Sequence, residues 1–223
     1  LAISAFRTRN NPEALRYLNW WLEAERSSSH MEVQKWPTRR FEALNFLAIV
    51  QTKLGMLNEV AKTWRDLEVE VPNDQNKNSK AQKAEFSANR GLVLFRLKDY
   101  PSAVTQFHNW LGKYFGEKNR PKVLLYLGLA ELEMGKNSDA IGHLKTFLKE
   151  NPLHPKAREA LYAAALGALR TNDYASSSEL LSKWVVEAEE QSNPERLKEG
   201  WFLLAASRFA STDWKGAAKA YHL

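Results

Sequence analysis

Residues 121–152 read PKVLLYLGLAELEMGKNSDAIGHLKTFLKENP, and this stretch decides the fold. Leu124, Leu127, Gly128 and Leu132 fall on one face of a segment with helical period. After the turn Gly135-Lys136-Asn137, the residues Ala140, Leu144, Phe147 and Leu148 do the same. Asn151-Pro152 ends the second segment, because proline cannot continue a helix. Two amphipathic helices joined by so short a turn must fold back on one another.

The same phrase recurs outward in both directions: a turn, then a small residue, then a large apolar one four positions on. Upstream it appears as Lys98-Asp99-Tyr100 with Ala103 and Phe107, Gly55-Met56-Leu57 with Val60 and Trp64, and Arg9-Asn10-Asn11 with Ala14 and Leu18. Downstream it appears as Asn172-Asp173-Tyr174 with Ser177 and Leu181, and as Thr212-Asp213-Trp214 with Ala217 and Tyr221. Asp or Asn at the turn can accept a bond from an orphan N–H of the second helix. Pro12 and Pro101 stand in first turns, where a missing N–H costs little.

This pattern resembles the tetratricopeptide repeat family, which alternates bulky, small and aromatic residues in this order and closes on Pro. Leu124, Leu127, Gly128, Ala140, Leu144 and Pro152 supply that set in the copy at 121–152. Further copies fall at 41–72, 84–115 and 158–190, with partial ones at 1–26 and 198–223. The copy at 84 departs from the pattern with Ser87 and Arg90 where large apolar residues are usual. Copies begin at 41, 84, 121, 158 and 198, so the spacing runs 43, 37, 37 and 40, against about 34 in the family. Irregular spacing of this kind is similar to that of bacterial cell-envelope scaffolds. The resemblance implies an all-α, right-handed superhelical solenoid of antiparallel helix pairs, running as a single repeat array over 1–223.

Composition narrows the function. With 44% hydrophobic and 26% charged residues the chain has the make-up of a globular protein. No apolar run reaches the roughly 18 to 20 residues a spanning helix needs. The start, Leu1-Ala-Ile-Ser-Ala-Phe-Arg7, has neither Met nor a basic leader, so the chain reads as a piece of a longer protein. Its Cys count of 0 removes disulfides, thiolate metal sites and Cys nucleophiles. The formal net charge of +6 and pI near 9.4 admit nucleic acid, anionic lipid or an acidic protein as partner.

Catalytic chemistry finds no foothold. There is no phosphate-binding glycine loop and no Gly-x-Ser-x-Gly nucleophile motif. The His residues are scattered, and His108 and His143 are expected on the surface of second helices. Glu131 and Glu133, two apart on a helix, point away from each other. No cofactor, metal or small-molecule substrate is expected, and the chain does not read as an enzyme. Trp64, Trp201 and Trp214 fall on repeat positions and are expected in the core, with Trp110 and Trp184; Trp20 and Trp36 are candidates for a binding surface.

In the family, first helices line a concave face. By that resemblance the partner-binding candidates are Asn45, Ile49 and Lys53, then Leu92, Phe95 and Arg96 beside Ala88, then Lys122 and Leu129 beside Leu125. Tyr162, Arg170 and Phe202 continue the row. The carboxylate clamp of chaperone-binding members, Lys and Asn at fixed places, is absent, since Asn45, Ala88, Leu125, Tyr162 and Phe202 occupy the Lys place. The expected function is a scaffold that binds a protein or peptide, acidic in character, in a periplasmic or outer-membrane setting. The alternatives are a self-assembling array, which would make the chain a homo-oligomer, and a nucleic-acid-associated helical-repeat protein. The last is disfavoured because no polar residue recurs at matched places as base readout requires.

Overall fold

The computed structural model describes residues 1–27, 37–71, 77–189 and 194–222. Among them stand twelve α-helices and no strand. The sequence predicts about eleven. The helices fall into two compact units, Leu1–Asn119 and Arg120–Leu223.

The first unit holds α1 (Ala2–Arg7), α2 (Asn11–Ser27), α3 (Pro37–Lys53), α4 (Leu57–Glu70), α5 (Lys77–Arg96) and α6 (Tyr100–Tyr114). The second holds α7 (Arg120–Glu133), α8 (Asn137–Glu150), α9 (Ala157–Arg170), α10 (Tyr174–Glu189), α11 (Pro194–Ala210) and α12 (Trp214–Tyr221). Within each unit every helix packs on the one before it.

Six turns join the helix pairs, and all six share one geometry. Each first helix ends on a residue with positive φ: Arg9 at 61°, Gly55 at 72°, Lys98 at 60°, Gly135 at 75°, Asn172 at 59° and Thr212 at 68°. The next residue sends its N–H back five places, as in Asp99 N to Leu94 O at 3.0 Å and Asp173 N to Ala168 O at 2.8 Å. The positive-φ residue bonds three places back, as in Lys98 N to Phe95 O at 3.0 Å. This paired closure satisfies the orphan carbonyls of the first helix. The residue after the turn then opens the second helix. Asp99, Asp173 and Asp213 do so with side-chain caps onto Ser102, Ser176 and Gly216 N–H.

Thr212 is the costly member of the set, since a β-branched side chain disfavours positive φ. Thr212→Gly is expected to stabilise the second unit by about 0.5–1 kcal/mol, the αL penalty less the extra chain entropy of glycine. A thermal melt at or below that of the parent would contradict this.

The small repeat residues sit where helices touch. A Cβ on Gly128 would stand 2.6 Å from Leu144 Cγ and 3.2 Å from the Ala140 carbonyl, and one on Gly91 would stand 2.4 Å from the Phe107 ring. Phe107, Trp110, Leu144 and Phe147 are fully buried behind them. Ser87, which breaks the apolar pattern, is buried and satisfied, since Gln106 Nε2 donates to its Oγ at 2.7 Å.

Ion pairs repeat as well. Arg40 at the start of α3 donates to Glu70 at 2.8 Å at the end of α4, and also to Glu25 on α2. Arg120 at the start of α7 clasps Glu150 at the end of α8 through two bonds of 2.8 Å.

The tryptophans divide. Trp110 and Trp184 are buried as expected, and Trp64 and Trp201 are half-buried. Trp214, expected in the core, is 57% exposed: it is the first residue of α12, and its ring lies edge-on to Phe209 at 4.7 Å across the turn. Phe95 and Tyr100 make the same contact at 5.5 Å. Trp20 is exposed, and Trp36 lies outside the described residues.

Candidate protein-binding surface

In the first unit the candidates stand on the first helices of two pairs. Asn45, Ile49 and Lys53 are spaced by four along α3 and so form one stripe. Ile49 and Lys53 are exposed and Asn45 is half-buried. On α5, Leu92 and Phe95 are half-buried and Arg96 is exposed. Ala88, expected beside them on the lining, is buried core instead.

In the second unit three first helices are tied side by side. Lys156 Nζ, at the entry to α9, donates to Tyr126 Oη on α7 at 3.1 Å and sits over that ring. Arg170 Nη1, at the end of α9, donates at 3.1 Å to the Leu132 carbonyl in the last turn of α7. A cation at a helix C-terminus is favourable for the dipole as well as for the bond. On the other side Tyr162 Oη donates to Glu199 on α11 at 2.8 Å, and the Arg196 guanidinium lies 5.4 Å above the Tyr162 ring. Burial, followed by the bond to Glu199, pushes the Tyr162 hydroxyl up to about 12.

Two of the sequence candidates, Tyr162 and Arg170, are therefore ties between helices. Lys122 and Leu129 are half-buried on α7, and Leu125 between them is buried core. Phe202 on α11 is 59% exposed, with Phe209 at 56% further along the same helix. Tyr221 on α12 is likewise exposed and meets Phe202 edge-on at 6.0 Å.

His143 corrects a further expectation. Its ring is half-buried, and Nδ1 lies 2.8 Å from the carboxylate of Glu131, which is 1% exposed. The expectation followed from the position of His143 on α8; what it lacked was the buried acid on α7. The hydrogen bond to Glu131 raises the His143 pKa above its ordinary value, with burial opposing. A raised folded pKa gives stability that is complete below the unfolded value and is lost as pH rises through the folded one. The second unit is thus expected to lose stability above about pH 6.5, and His143→Gln should flatten that slope in melts run from pH 5 to 9. Equal slopes in both proteins would rule the coupling out.

Among the described residues no group of three His, Asp or Glu side chains could hold a metal ion, and no helix is long and apolar enough to cross a membrane.

Residues 125–194 match the family model described as tetratricopeptide repeat. Over that stretch the chain carries tetratricopeptide repeats. Solved repeat structures carry the likeness across the rest of the chain. MamA from Desulfovibrio magneticus RS-1 is 18% identical, the match covering 82% of this chain and 91% of that one at a TM-score of 0.64. BtubC from P. vanneervenii is 13% identical over 95% of this chain and 88% of its own, also at 0.64. PilW, described as a type IV pilus biogenesis factor, is 15% identical over 98% and 86%, at 0.60. Identities this low establish fold alone. A curated relative, the large ribosomal subunit protein mL101 (rPPR4) of Arabidopsis thaliana, is 32% identical over 88 residues. That match spans 40% of this chain and 16% of the relative's length.

The repeat pattern did not reveal Tyr126, Lys156, Arg196 or Glu199, which fix the first-helix face. Their one signal is the near-repeat of tyrosine at 126 and 162.

Proposed function

We propose that the chain is a non-catalytic interaction scaffold that holds a segment of another protein on its first-helix face. The observation that carries this is the exposed pair Phe202 and Phe209 on α11, beside a face already locked by Lys156, Tyr162 and Arg170. Exposed aromatics on a rigid support suit binding, because little order has to be gained when the partner docks. The cations Lys122, Arg170 and Arg196 on that face favour an acidic partner. In the first unit Ile49 and Arg96 extend the same reading. A cell-envelope assembly is the proposed setting, on the irregular repeat spacing and the lack of cysteine.

Phe202→Glu tests this without disturbing a buried contact. Proteins captured from the source organism by the parent should fall at least tenfold with the variant, at an unchanged melt. They should also release between about 0.1 and 0.5 M salt as screening shortens the Debye length. Recovery of the same proteins in the same amounts would sink the proposal.

A second reading has its own support in the pI near 9.4 and the partial match to a ribosomal protein. It places the scaffold on a ribonucleoprotein. Filter binding of single-stranded RNA at two salt concentrations separates the two, since phosphate contacts weaken steeply with salt.

A further inference from the structure

We propose a second docking site on the opposite row of helices: the groove between α8 and α10 takes a short acidic segment of another protein that carries a large apolar side chain. Lys145 and Lys149 are four apart on α8 and so share a face, as do Glu179 and Lys183 on α10. Between the two faces lies a cavity of about 450 Å³. Its floor is apolar: Ala157 and Leu161 from the start of α9, Leu180 from α10 and Leu148 from α8. Pro152, just past the end of α8, also lines it.

The charge around this floor is unbalanced, with three lysines against one carboxylate. Glu179 is held by Lys183 at 2.6 Å, while Lys145 Nζ donates to the neutral Ser176 hydroxyl at 3.1 Å. Asp173 and Glu179 both lie within electrostatic reach of Lys145. A cationic rim above an apolar floor selects a ligand with both characters. A nucleic-acid backbone would meet the lysines but leave the floor unfilled, whereas an acidic segment with one Leu or Phe meets both. The volume falls in the ordinary range for binding clefts.

The site is distinct from the first-helix face, so its test is independent of that reading. The full chain, methyl-labelled on leucine, is titrated with the peptide Asp-Glu-Leu-Phe-Glu-Asp at low salt. Shifts are expected at Leu148, Leu161 and Leu180. The double variant Lys149→Glu, Lys183→Glu should weaken the apparent affinity at least tenfold, and a peptide with Gly-Ser for Leu-Phe should give no shift at those methyls. Phe202→Glu should leave the titration unchanged. Three results overturn the proposal: no shift at millimolar peptide, equal binding by the double variant, or tighter binding at these methyls by a thymidine hexanucleotide than by the peptide.

Discussion

Trp110→Ala is expected to cost the first unit about 3–5 kcal/mol, the ordinary range for truncating a buried tryptophan. The ring is fully buried on α6 beside Phe107, with Tyr114 at a centroid distance of 5.9 Å. Its Nε1 also donates to the Ala84 carbonyl on α5 at 2.6 Å. The residue therefore does two things: it fills the space between the helices of a pair, and it fixes their register through one bond. Trp110→Phe separates them. It keeps most of the apolar volume and loses the donor, so about 1 kcal/mol is expected. Urea denaturation reads both. A domain of this size has roughly 5–15 kcal/mol in all, so the alanine variant should come close to unfolding the unit. An alanine cost no greater than the phenylalanine cost would mean that the ring is not packed as described.

The helix pairs were legible in the sequence because their causes are local. Small residues at Gly128 and Ala140, a turn between them and an apolar stripe on each side specify one hairpin without knowledge of its neighbours. What was not legible comes from contacts between elements far apart in sequence. Arg40–Glu70 and Arg120–Glu150 are the same clasp in two repeats, but each joins residues a whole hairpin apart, and no helical period connects them. Ser177 and Ser207 likewise meet at 3.1 Å in the core, where each alone reads as a neutral small residue. His143 looked like a surface residue because the acid that holds it belongs to another helix. Trp214 erred the other way: its type suggested burial, but the first residue of a helix packs across the turn rather than into the pair. The candidate surface has the same history. The first-helix stripes could be read from spacing, whereas the conversion of Tyr162 and Arg170 into ties depended on Glu199 and the Leu132 carbonyl, which spacing does not bring near.

Gly200→Leu is expected to cost the second unit about 3 kcal/mol, at the upper end of overpacking penalties. Gly200 is buried on α11, and a Cβ there would stand 2.1 Å from Cζ3 and 2.8 Å from Cε3 of Trp184. Real Cβ atoms do not approach so closely, so one side must move. Trp184 is 2% exposed, and its ring lies 5.1 Å from that of Tyr162, which is itself bonded to Glu199 on α11. Retreat of the indole would therefore disturb the tie that aligns α9 with α11. Alanine makes the sharper test. In a helix interior alanine is favoured over glycine by about 1 kcal/mol, so packing and propensity oppose each other at this position. Gly142, exposed on α8 with nothing within 4 Å of its Cβ direction, isolates the propensity alone. Gly142→Ala should raise the urea midpoint and Gly200→Ala should lower it. The tryptophan near-ultraviolet circular dichroism should change in the second variant and not in the first. If both alanines stabilise alike, α11 does not lie against Trp184, and the alignment of Phe202 and Phe209 with the rest of the first-helix face falls with it.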